Sequence, residues 1–425
     1  MRLKRTNIIL ALCLVIWASL LYYSFSTIQL STNDKNDEVE RNLNQLEAGL
    51  SEQFHMNNEM IHTAHKLLLH KKKGMKDSNT TNSEGKIPIL VFACNRISIT
   101  KCLDKLILYR PNPEKFPIIV SQDCNHQDTT DIIKKYEQIT LIQQPDQSDI
   151  QVPPKEKKFK GYFKIARHYG WALNQMFFNY NYSTIIIVED DLEVAPDFYE
   201  YFLGTYPILK KDPTLWCVSA WNDNGKENLV NLQRTDLLYR TDFFPGLGWM
   251  LTKNLWLELY SKWPRAYWDD WIRDPAQRKG RACIRPEISR TRTFGKIGIS
   301  NGLFYEKHLK YIKLNEDFVP FTKMNLTYLL KDNYDKDFIN AVYQSAVVTY
   351  EDLKEGRLPP EGPVRVIYRT KEEFKRRSKM LGLMDDFKSG VPRTAYKGIV
   401  TFHYKGRMVH LAPNLNWKGY DPSWS

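Results

Sequence analysis

Three consecutive acidic residues form the first candidate site. Glu189, Asp190 and Asp191 end the apolar run STIIIVEDD at positions 183–191. Adjacent carboxylates at the end of a buried segment are unfavourable unless a cation neutralises them. A hard divalent ion such as Mg²⁺ or Mn²⁺ binds one or two carboxylates and completes its shell with phosphate oxygens and water. The sequence therefore favours a metal site over the alternative, an acidic cap for the helix predicted from Pro196.

A second acidic pair lies in the aromatic sequence AYWDDW at positions 266–271. Trp268 and Trp271 flank Asp269 and Asp270. An apolar environment raises the pKa of a carboxyl group and suits it to act as a general base. Indole faces also suit sugar rings. An exposed, tryptophan-rich turn explains the same residues equally well, so both interpretations stay open from the residues alone.

A basic run follows this pair. Its members would either neutralise a diphosphate or form a solvated surface, and the second is the more common use of such a run. The residues are Arg278, Lys279, Arg281, Arg285 and Arg290.

The elements that would position these residues are short apolar runs separated by amphipathic stretches. The pattern predicts a mixed, mostly parallel α/β sheet covered by helices on both faces. Because ligands of such sheets bind beyond the carboxyl ends of the strands, we expect Arg96, Asp123 and the acidic triplet to lie close together. The predicted strands are residues 87–94, 116–123, 139–145, 183–191 and 214–221.

Motifs of several common enzyme classes are missing after these runs. The sequence has no G-x-G-x-x-G, no G-x-x-x-x-G-K-[ST] and no G-x-S-x-G at a strand end. Dinucleotide-dependent oxidoreductases, P-loop nucleotidases and serine hydrolases therefore lose their usual support.

The sequence near the N-terminus predicts a membrane anchor. Residues 8–25 are almost wholly apolar, and Arg2, Lys4 and Arg5 precede them. This charge distribution places the N-terminus in the cytoplasm and the remainder in the lumen. A cleaved signal peptide is the alternative, but the apolar run is long for one and no A-x-A site follows it.

The net charge of +12 across 425 residues would suit a polyanionic partner. A lumenal body argues against nucleic acid as that partner. Sequons at Asn79, Asn181 and Asn325 fit the lumenal location.

We predict six segments along the chain. Within the last of them, a hairpin turns at Lys405–Gly406, and His403 and His410 are strand residues rather than metal ligands. The segments are a cytoplasmic tail (1–7), a transmembrane anchor (8–25), a lumenal stem (26–86), a catalytic domain (87–305), a linker (306–330) and a smaller α+β domain (331–425).

Several long motifs resemble the N-acetylglucosaminyltransferase I family, glycosyltransferase family 13. The resemblance runs from about Ile87 to the C-terminus in uninterrupted order. It is carried by SQDCNHQDT (121–129), VEDDLEVAPDF (188–198), VSAWNDNGK (218–226), YRTDFFPGLGW (239–249), YWDDW (267–271), RKGRACIRPEISRT (278–291) and GYDPSW (419–424).

The resemblance implies a GT-A fold and an inverting reaction in the Golgi membrane. N-acetylglucosamine (GlcNAc) would move from UDP-GlcNAc to the α1,3-arm mannose of a Man5GlcNAc2 N-glycan. The product would carry a β1,2 linkage, and Mn²⁺ would be the cofactor. A β1,2-GlcNAc-transferase acting on O-linked mannose is the alternative enzyme, and an inactive Golgi glycan-binding scaffold is the alternative outside enzymes. Homo- or hetero-oligomers would form through the stem or the membrane helix.

The resemblance also implies roles for individual residues. Asp191 would bind the metal, and Asp269 would be the general base. Ser300 lies in the glycine-containing loop 295–302, which would order over the donor. Other implied donor-binding residues are Arg96, Asp123, His168, Glu189, Asp190 and Trp268.

The resemblance further implies two disulfides in the lumenal part. It pairs Cys94 with Cys124 and Cys217 with Cys283, which leaves Cys102 free.

Overall fold

A computed structural model describes residues 85–296, 298 and 302–424, together with Ser19, Asn42, Gln45 and Gly49. It divides the chain into two units, residues 1–81 and 82–425. In the part of the chain that is described, no helix is long and apolar enough to cross a membrane. Apart from isolated positions, the predicted tail, anchor and stem lie outside the described residues.

Sixteen strands and eleven α-helices are present among the described residues. The strands are β1 (Ile89–Ala93), β2 (Ile118–Gln122), β3 (Ile139–Gln143), β4 (Thr184–Glu189), β5 (Leu192–Val194), β6 (Leu215–Ser219), β7 (Leu238–Thr241), β8 (Trp249–Thr252), β9 (Ala282–Pro286), β10 (Thr291–Thr293), β11 (Ala346–Val347), β12 (Val364–Tyr368), β13 (Phe387–Lys388), β14 (Val391–Pro392), β15 (Val400–Tyr404) and β16 (Arg407–Pro413). The helices are α1 (Ile99–Leu108), α2 (Gln127–Lys134), α3 (Lys160–Asn174), α4 (Phe198–Lys211), α5 (Lys253–Leu259), α6 (Trp268–Arg273), α7 (Pro275–Arg278), α8 (Leu303–Lys307), α9 (Lys331–Gln344), α10 (Tyr350–Glu355) and α11 (Lys371–Leu381).

The main sheet has eight strands in the order β3-β2-β1-β4-β8-β6-β9-β7. Four of its seven pairings are parallel, which confirms a mixed α/β fold with a mostly parallel sheet. All five apolar runs predicted as strands form β1, β2, β3, β4 and β6.

The continuous apolar runs reflect burial on both faces of the sheet. Along β4, Ile186 and Val188 pack in a core cluster with Leu103 of α1. Ile185 and Ile187 face the other way and pack with α3. Successive side chains of a strand point to opposite faces, so a sheet covered on both sides needs apolar residues at every position.

Three strands of the main sheet, β7, β8 and β9, were not predicted. Strand β8 runs antiparallel between β4 and β6, and the short ribbon of β5 with β10 is also antiparallel. Strand β8 contributes only four residues, WMLT, after a glycine-containing turn. Its place depends on pairing with two distant strands, and no local periodicity reveals that.

The C-terminal part contains a four-stranded sheet in the order β11-β12-β16-β15. The β15–β16 hairpin turns where predicted, with φ of 48° at Lys405 and 79° at Gly406. His403 and His410 are buried strand residues, as predicted. The segment 306–330 has three single-turn 3-10 helices. Phe321 of this segment lies so close to Gly204 that a side chain at position 204 would overlap Phe321. The six segment boundaries stay a prediction.

The interpretation of the basic run as solvated surface is wrong for three of its members. Arg278, Arg285 and Arg290 are buried. The Arg285 guanidinium lies 4.5 Å from the Tyr239 ring centroid, and the Arg278 guanidinium lies 5.1 Å from that of Tyr420. Burial is possible because aromatic faces attract the guanidinium cation.

Three members of the run form ion pairs with carboxylates of the protein. Arg290 Nη2 lies 3.0 Å from Asp197 Oδ2, and both side chains are fully buried. Lys279 and Arg281 both pair with Glu258, at 3.1 and 3.0 Å. The charges of these three residues therefore have partners within the protein, and contact of the run with a diphosphate stays a prediction.

We expect Arg290→Met to reduce the free energy of unfolding by about 3–5 kcal/mol, because Asp197 would keep a buried charge without its partner. Urea denaturation of the full-length chain, followed by fluorescence, measures the change. The matched control is Arg234→Met, which removes an ion pair to Asp236 with side chains 50% and 35% exposed. That variant should lose at most about 1 kcal/mol. Equal losses in the two variants would contradict the prediction.

Candidate active site

The polar residues at the ends of β1, β2 and β4 meet at one edge of the sheet. The parallel register places Phe92 beside both Ser121 and Glu189. Beyond the strands, Asp190 N donates to Phe92 O at 3.0 Å and Asp123 N donates to Ala93 O at 2.9 Å. The expected convergence of Arg96, Asp123 and the acidic triplet is therefore confirmed.

The acidic triplet is largely buried and is held by Arg96. Arg96 Nε donates to Asp190 Oδ1 at 2.9 Å, and Arg96 Nη2 lies 3.4 Å from Asp191 Oδ2. Burial raises the pKa of Asp190 to about 6 although Arg96 opposes the shift. Burial also raises the pKa of Asp191, against the opposing effects of Arg96 and of a hydrogen bond from Thr293. One arginine therefore does not offset the burial of both carboxylates.

Glu189 shares this environment. Tyr169 Oη donates a 2.9 Å hydrogen bond to Glu189 Oε1. Burial, followed by the charge of Asp191, raises the pKa of Glu189 to about 7. A further cation near the triplet would favour its ionised form.

Asp191, which the sequence resemblance implies as the metal ligand, lies directly against Gly295. A Cβ atom at Gly295 would overlap its carboxylate, so the chain passes Asp191 closely only because residue 295 is glycine. Among the described residues, no group of three or more His, Cys, Asp or Glu side chains is arranged to hold a metal. A hard cation here would take one carboxylate and complete its shell with phosphate oxygens and water.

His168 and Asp123 lie on the other side of β1. His168 Nε2 lies 2.7 Å from Ser121 Oγ, and Gln147 Nε2 donates to Asp123 Oδ1 at 3.0 Å. Burial lowers the pKa of His168 to about 4, so the imidazole is neutral at physiological pH. A neutral ring can accept or donate one hydrogen bond without adding charge.

An aromatic stack joins the triplet to the second acidic pair. The Tyr169 ring stacks on Phe92 at 3.7 Å and on Trp268 at 4.4 Å between centroids. Trp268 also stacks on Trp249 and Trp263 and is 6% exposed. In this structure Trp268 is therefore a packing residue, and its predicted contact with the donor stays a prediction.

Asp269 and Asp270 lie on α6, with side chains 44% and 45% exposed. Arg273 Nη1 donates to Asp269 Oδ2 and to Asp270 Oδ1, both at 3.0 Å. Lys388 Nζ donates to Asp270 Oδ2, also at 3.0 Å. Burial is the largest cause of the raised pKa of Glu189, and the charge of Asp269 also contributes to it.

The expectation that tryptophans raise the pKa of these carboxylates is wrong for Asp270. Burial does oppose its ionisation, but Arg273 and Lys388 outweigh burial and lower the pKa of Asp270 below its ordinary value. Ionised Asp270 is therefore anchored by two cations.

Both expected disulfides are present, Cys94–Cys124 and Cys217–Cys283, and Cys102 is free and buried. The first joins the loops after β1 and β2 beside Arg96. The second bridges residues that pair directly between β6 and β9.

Sequence reasoning gave no individual role to four residues of this site and assigned a role to one residue that cannot be assessed. Ser300 lies outside the described residues. Arg273 follows Asp269 by four positions and Asp270 by three, and this helical spacing was a readable signal. Tyr169, Gly295 and Lys388 carried no comparable signal.

Comparisons with known proteins define the class of this chain. Its sequence matches the GNT-I family over residues 7–424. It is 40% identical over 333 residues to alpha-1,3-mannosyl-glycoprotein 2-beta-N-acetylglucosaminyltransferase of Arabidopsis thaliana, a match that covers 78% of this chain and 74% of the relative. The protein is thus a glycosyltransferase.

Two solved structures that resemble this chain are far less similar to it in sequence. S. aureus TarS 1-349 in complex with UDP-GlcNAc is 14% identical over 63% of this chain and 77% of its own, with a TM-score of 0.32. Mannosyltransferase PcManGT from Pyrobaculum calidifontis, in complex with GDP-Man and Mn²⁺, is 15% identical over 47% and 55%, with a TM-score of 0.28. These values are too low to support a structural argument. The family match decides the assignment: the chain belongs to the GNT-I family.

We expect Gly295→Ala to weaken UDP binding in the presence of Mn²⁺ by about 10–100-fold, because the new methyl group would displace the Asp191 carboxylate. Titration calorimetry measures the affinity. Gly298→Ala is the matched control, since nothing lies within 4 Å of the position its Cβ would take in the same loop. Similar losses in the two variants would show that loop stiffness, rather than overlap with Asp191, causes the effect.

Proposed function

We propose that the chain transfers GlcNAc from UDP-GlcNAc to the α1,3-arm mannose of Man5GlcNAc2 N-glycans in β1,2 linkage. This step starts the synthesis of hybrid and complex N-glycans. The observation that carries the proposal is the pairing of two acidic groups at one site. The triplet Glu189–Asp191 is buried and poor in positive charge, whereas Asp269 is half-exposed on a separate helix. Membership of the GNT-I family and the name of the Arabidopsis relative support the donor sugar and the linkage.

Asp269 is the general base of this mechanism. An α-linked donor that gives a β-linked product reacts by a single in-line displacement, so one base must take the proton from the mannose 2-hydroxyl. No enzyme nucleophile is required. Asp269 and Asp270 are equally exposed, but Asp270 is bound by both Arg273 and Lys388. A carboxylate held by two cations and with a lowered pKa is the poorer proton acceptor, which favours Asp269.

Asp191 holds Mn²⁺ in the proposed complex, within a GT-A fold. The metal supplies positive charge that stabilises the departing diphosphate. Raised pKa values across the triplet support a cation at this position.

The remaining predicted residues bind the donor. Glu189 and Asp190 face the donor sugar and the ribose, and Arg96 keeps Asp190 oriented. Asp123 and neutral His168 line the nucleotide pocket. Trp268 supports the sugar side, and Ser300 belongs to the loop that covers the donor.

The proposed location is the Golgi membrane, with a type II anchor at residues 8–25 and the catalytic part in the lumen. Two disulfides suit an oxidising compartment. Asn181 and Asn325 are exposed, as glycosylation in the lumen requires. Nucleic acid is not a proposed partner, and oligomers would form through the stem or the membrane helix.

We expect the full-length chain to transfer radiolabelled GlcNAc from UDP-GlcNAc to a free Man5GlcNAc2 glycan when Mn²⁺ is present. Asp269→Asn should lower turnover by about 10²–10⁴-fold with unchanged UDP affinity, because only proton transfer is lost. Asp191→Ala should instead weaken UDP binding in the presence of Mn²⁺. Chelation should abolish transfer, and added Mn²⁺ should restore it.

Parallel reactions distinguish the alternatives. Product on an O-mannosyl peptide instead of the N-glycan would replace the proposed acceptor. Glycan binding without any transfer would indicate a scaffold. Wild-type turnover of Asp269→Asn would refute its assignment as the base.

A further inference from the structure

The β13–β14 hairpin brings a cation from the C-terminal part of the chain to the second acidic pair. Lys388 Nζ lies 3.0 Å from each oxygen of Asp270, although 118 residues separate them. The next residue, Ser389, donates a 2.6 Å hydrogen bond to Asp274 Oδ1. Two consecutive side chains of the hairpin therefore hold the first turn of α6 and the residue that follows the helix.

The hairpin is built to hold Lys388 in place. Ser389 and Gly390 form its two-residue turn, with φ of 47° and 80°. Positive φ at both central residues is the geometry that matches the twist of a tight hairpin. Gly390 N donates to Trp424 O at 3.1 Å, and a side chain at Gly390 would overlap Asp421 O. The backbone of the turn beside Lys388 is therefore held by contacts with the C-terminal segment.

Lys388 balances the charge of the acidic pair. One nitrogen of Arg273 is shared between Asp269 and Asp270 at 3.0 Å. With Lys388 present, two cations face two carboxylates. Without Lys388, the two carboxylates would share one cation, and a proton would bind the pair more readily.

We propose that Lys388 is a positioning residue for catalysis, which neutralises Asp270 so that Asp269 is left to accept the proton of the acceptor hydroxyl. The inference rests on the proposed function, in which Asp269 is the base. It assigns the β13–β14 hairpin a role in the reaction. The hairpin acts through the charges of Asp270 and Arg273 and does not contact the substrate.

The charged and titratable groups around Asp270 set the direction of the pH effect. They are Asp269 and Arg273 on α6, Lys388 on the hairpin, and Tyr162 on α3, whose own pKa is raised by burial and by the two carboxylates. Removing Lys388 removes positive charge, so the pair would protonate at higher pH. Activity that needs the ionised pair would then be lost at a higher pH than in the wild type.

The test compares pH profiles of kcat for Lys388→Met, Lys388→Arg and Lys397→Met in the full-length chain with UDP-GlcNAc, Mn²⁺ and the N-glycan acceptor. Lys397 is the matched control because it is 39% exposed, close to the 36% of Lys388, and pairs with Asp335 at 2.9 Å. Lys388→Met should move the acidic limb upward by about one pH unit, so that turnover on this limb falls about tenfold. Its KM for UDP-GlcNAc should not change. Lys388→Arg and Lys397→Met should keep the wild-type limb.

A wild-type limb for Lys388→Met would overturn the inference, as would equal shifts in Lys388→Met and Lys397→Met. If Lys388→Met does not fold, as judged by thermal unfolding, Lys388→Arg decides: a shifted limb in this charge-preserving variant refutes the role, and a wild-type limb supports it. Failure of the proposed base is recognised separately. Asp269→Asn would then keep wild-type turnover, whatever the Lys388 variants do.

Discussion

The concentration of negative charge at the end of β4 is the constraint on which the rest of the site depends. Three carboxylates follow one another where a central strand leaves the sheet, and burial opposes the ionisation of each. Arg96 reaches two of them, but its charge does not offset burial. The fold thus maintains a local deficit of positive charge. In the proposed function, a divalent cation bound with the nucleotide diphosphate would satisfy it, which would explain why a site for a polyanion is lined mainly by acids.

The two acidic groups are kept in register by packing rather than by covalent links. Tyr169 donates to Glu189 and stacks on Trp268, the first residue of α6. A shift of α6 would therefore disturb the aromatic stack and the hydrogen bond to Glu189 together. In the proposed reaction the acceptor hydroxyl, with the base beside it, attacks the anomeric carbon from the side opposite the leaving group. Errors of about 1 Å would matter in such an arrangement, and a rigid aromatic contact suits this requirement.

Local patterns predicted the parallel half of the sheet mainly because β1, β2 and β4 are buried on both faces and contain continuous apolar runs. They did not predict β8 or the β5–β10 ribbon, whose short strands depend on distant partners. The basic run shows the opposite error. Charge alone suggested surface or phosphate, but Arg290 is fully buried against Asp197 and Arg285 lies on Tyr239. Sequence spacing does not reveal whether a guanidinium group will contact a carboxylate or an aromatic ring from a distant part of the chain.

The same limit explains why the residues alone could not separate Asp269 from Asp270. The two are adjacent, both flank tryptophans, and both contact Arg273. What differs is a lysine from the far end of the chain that reaches only one of them. Chemical roles within such a pair are set by the third and fourth charges around it, and in this protein those charges come from two elements more than a hundred residues apart. The C-terminal part of the chain therefore belongs to the electrostatics of the active site as well as to the stability of the fold.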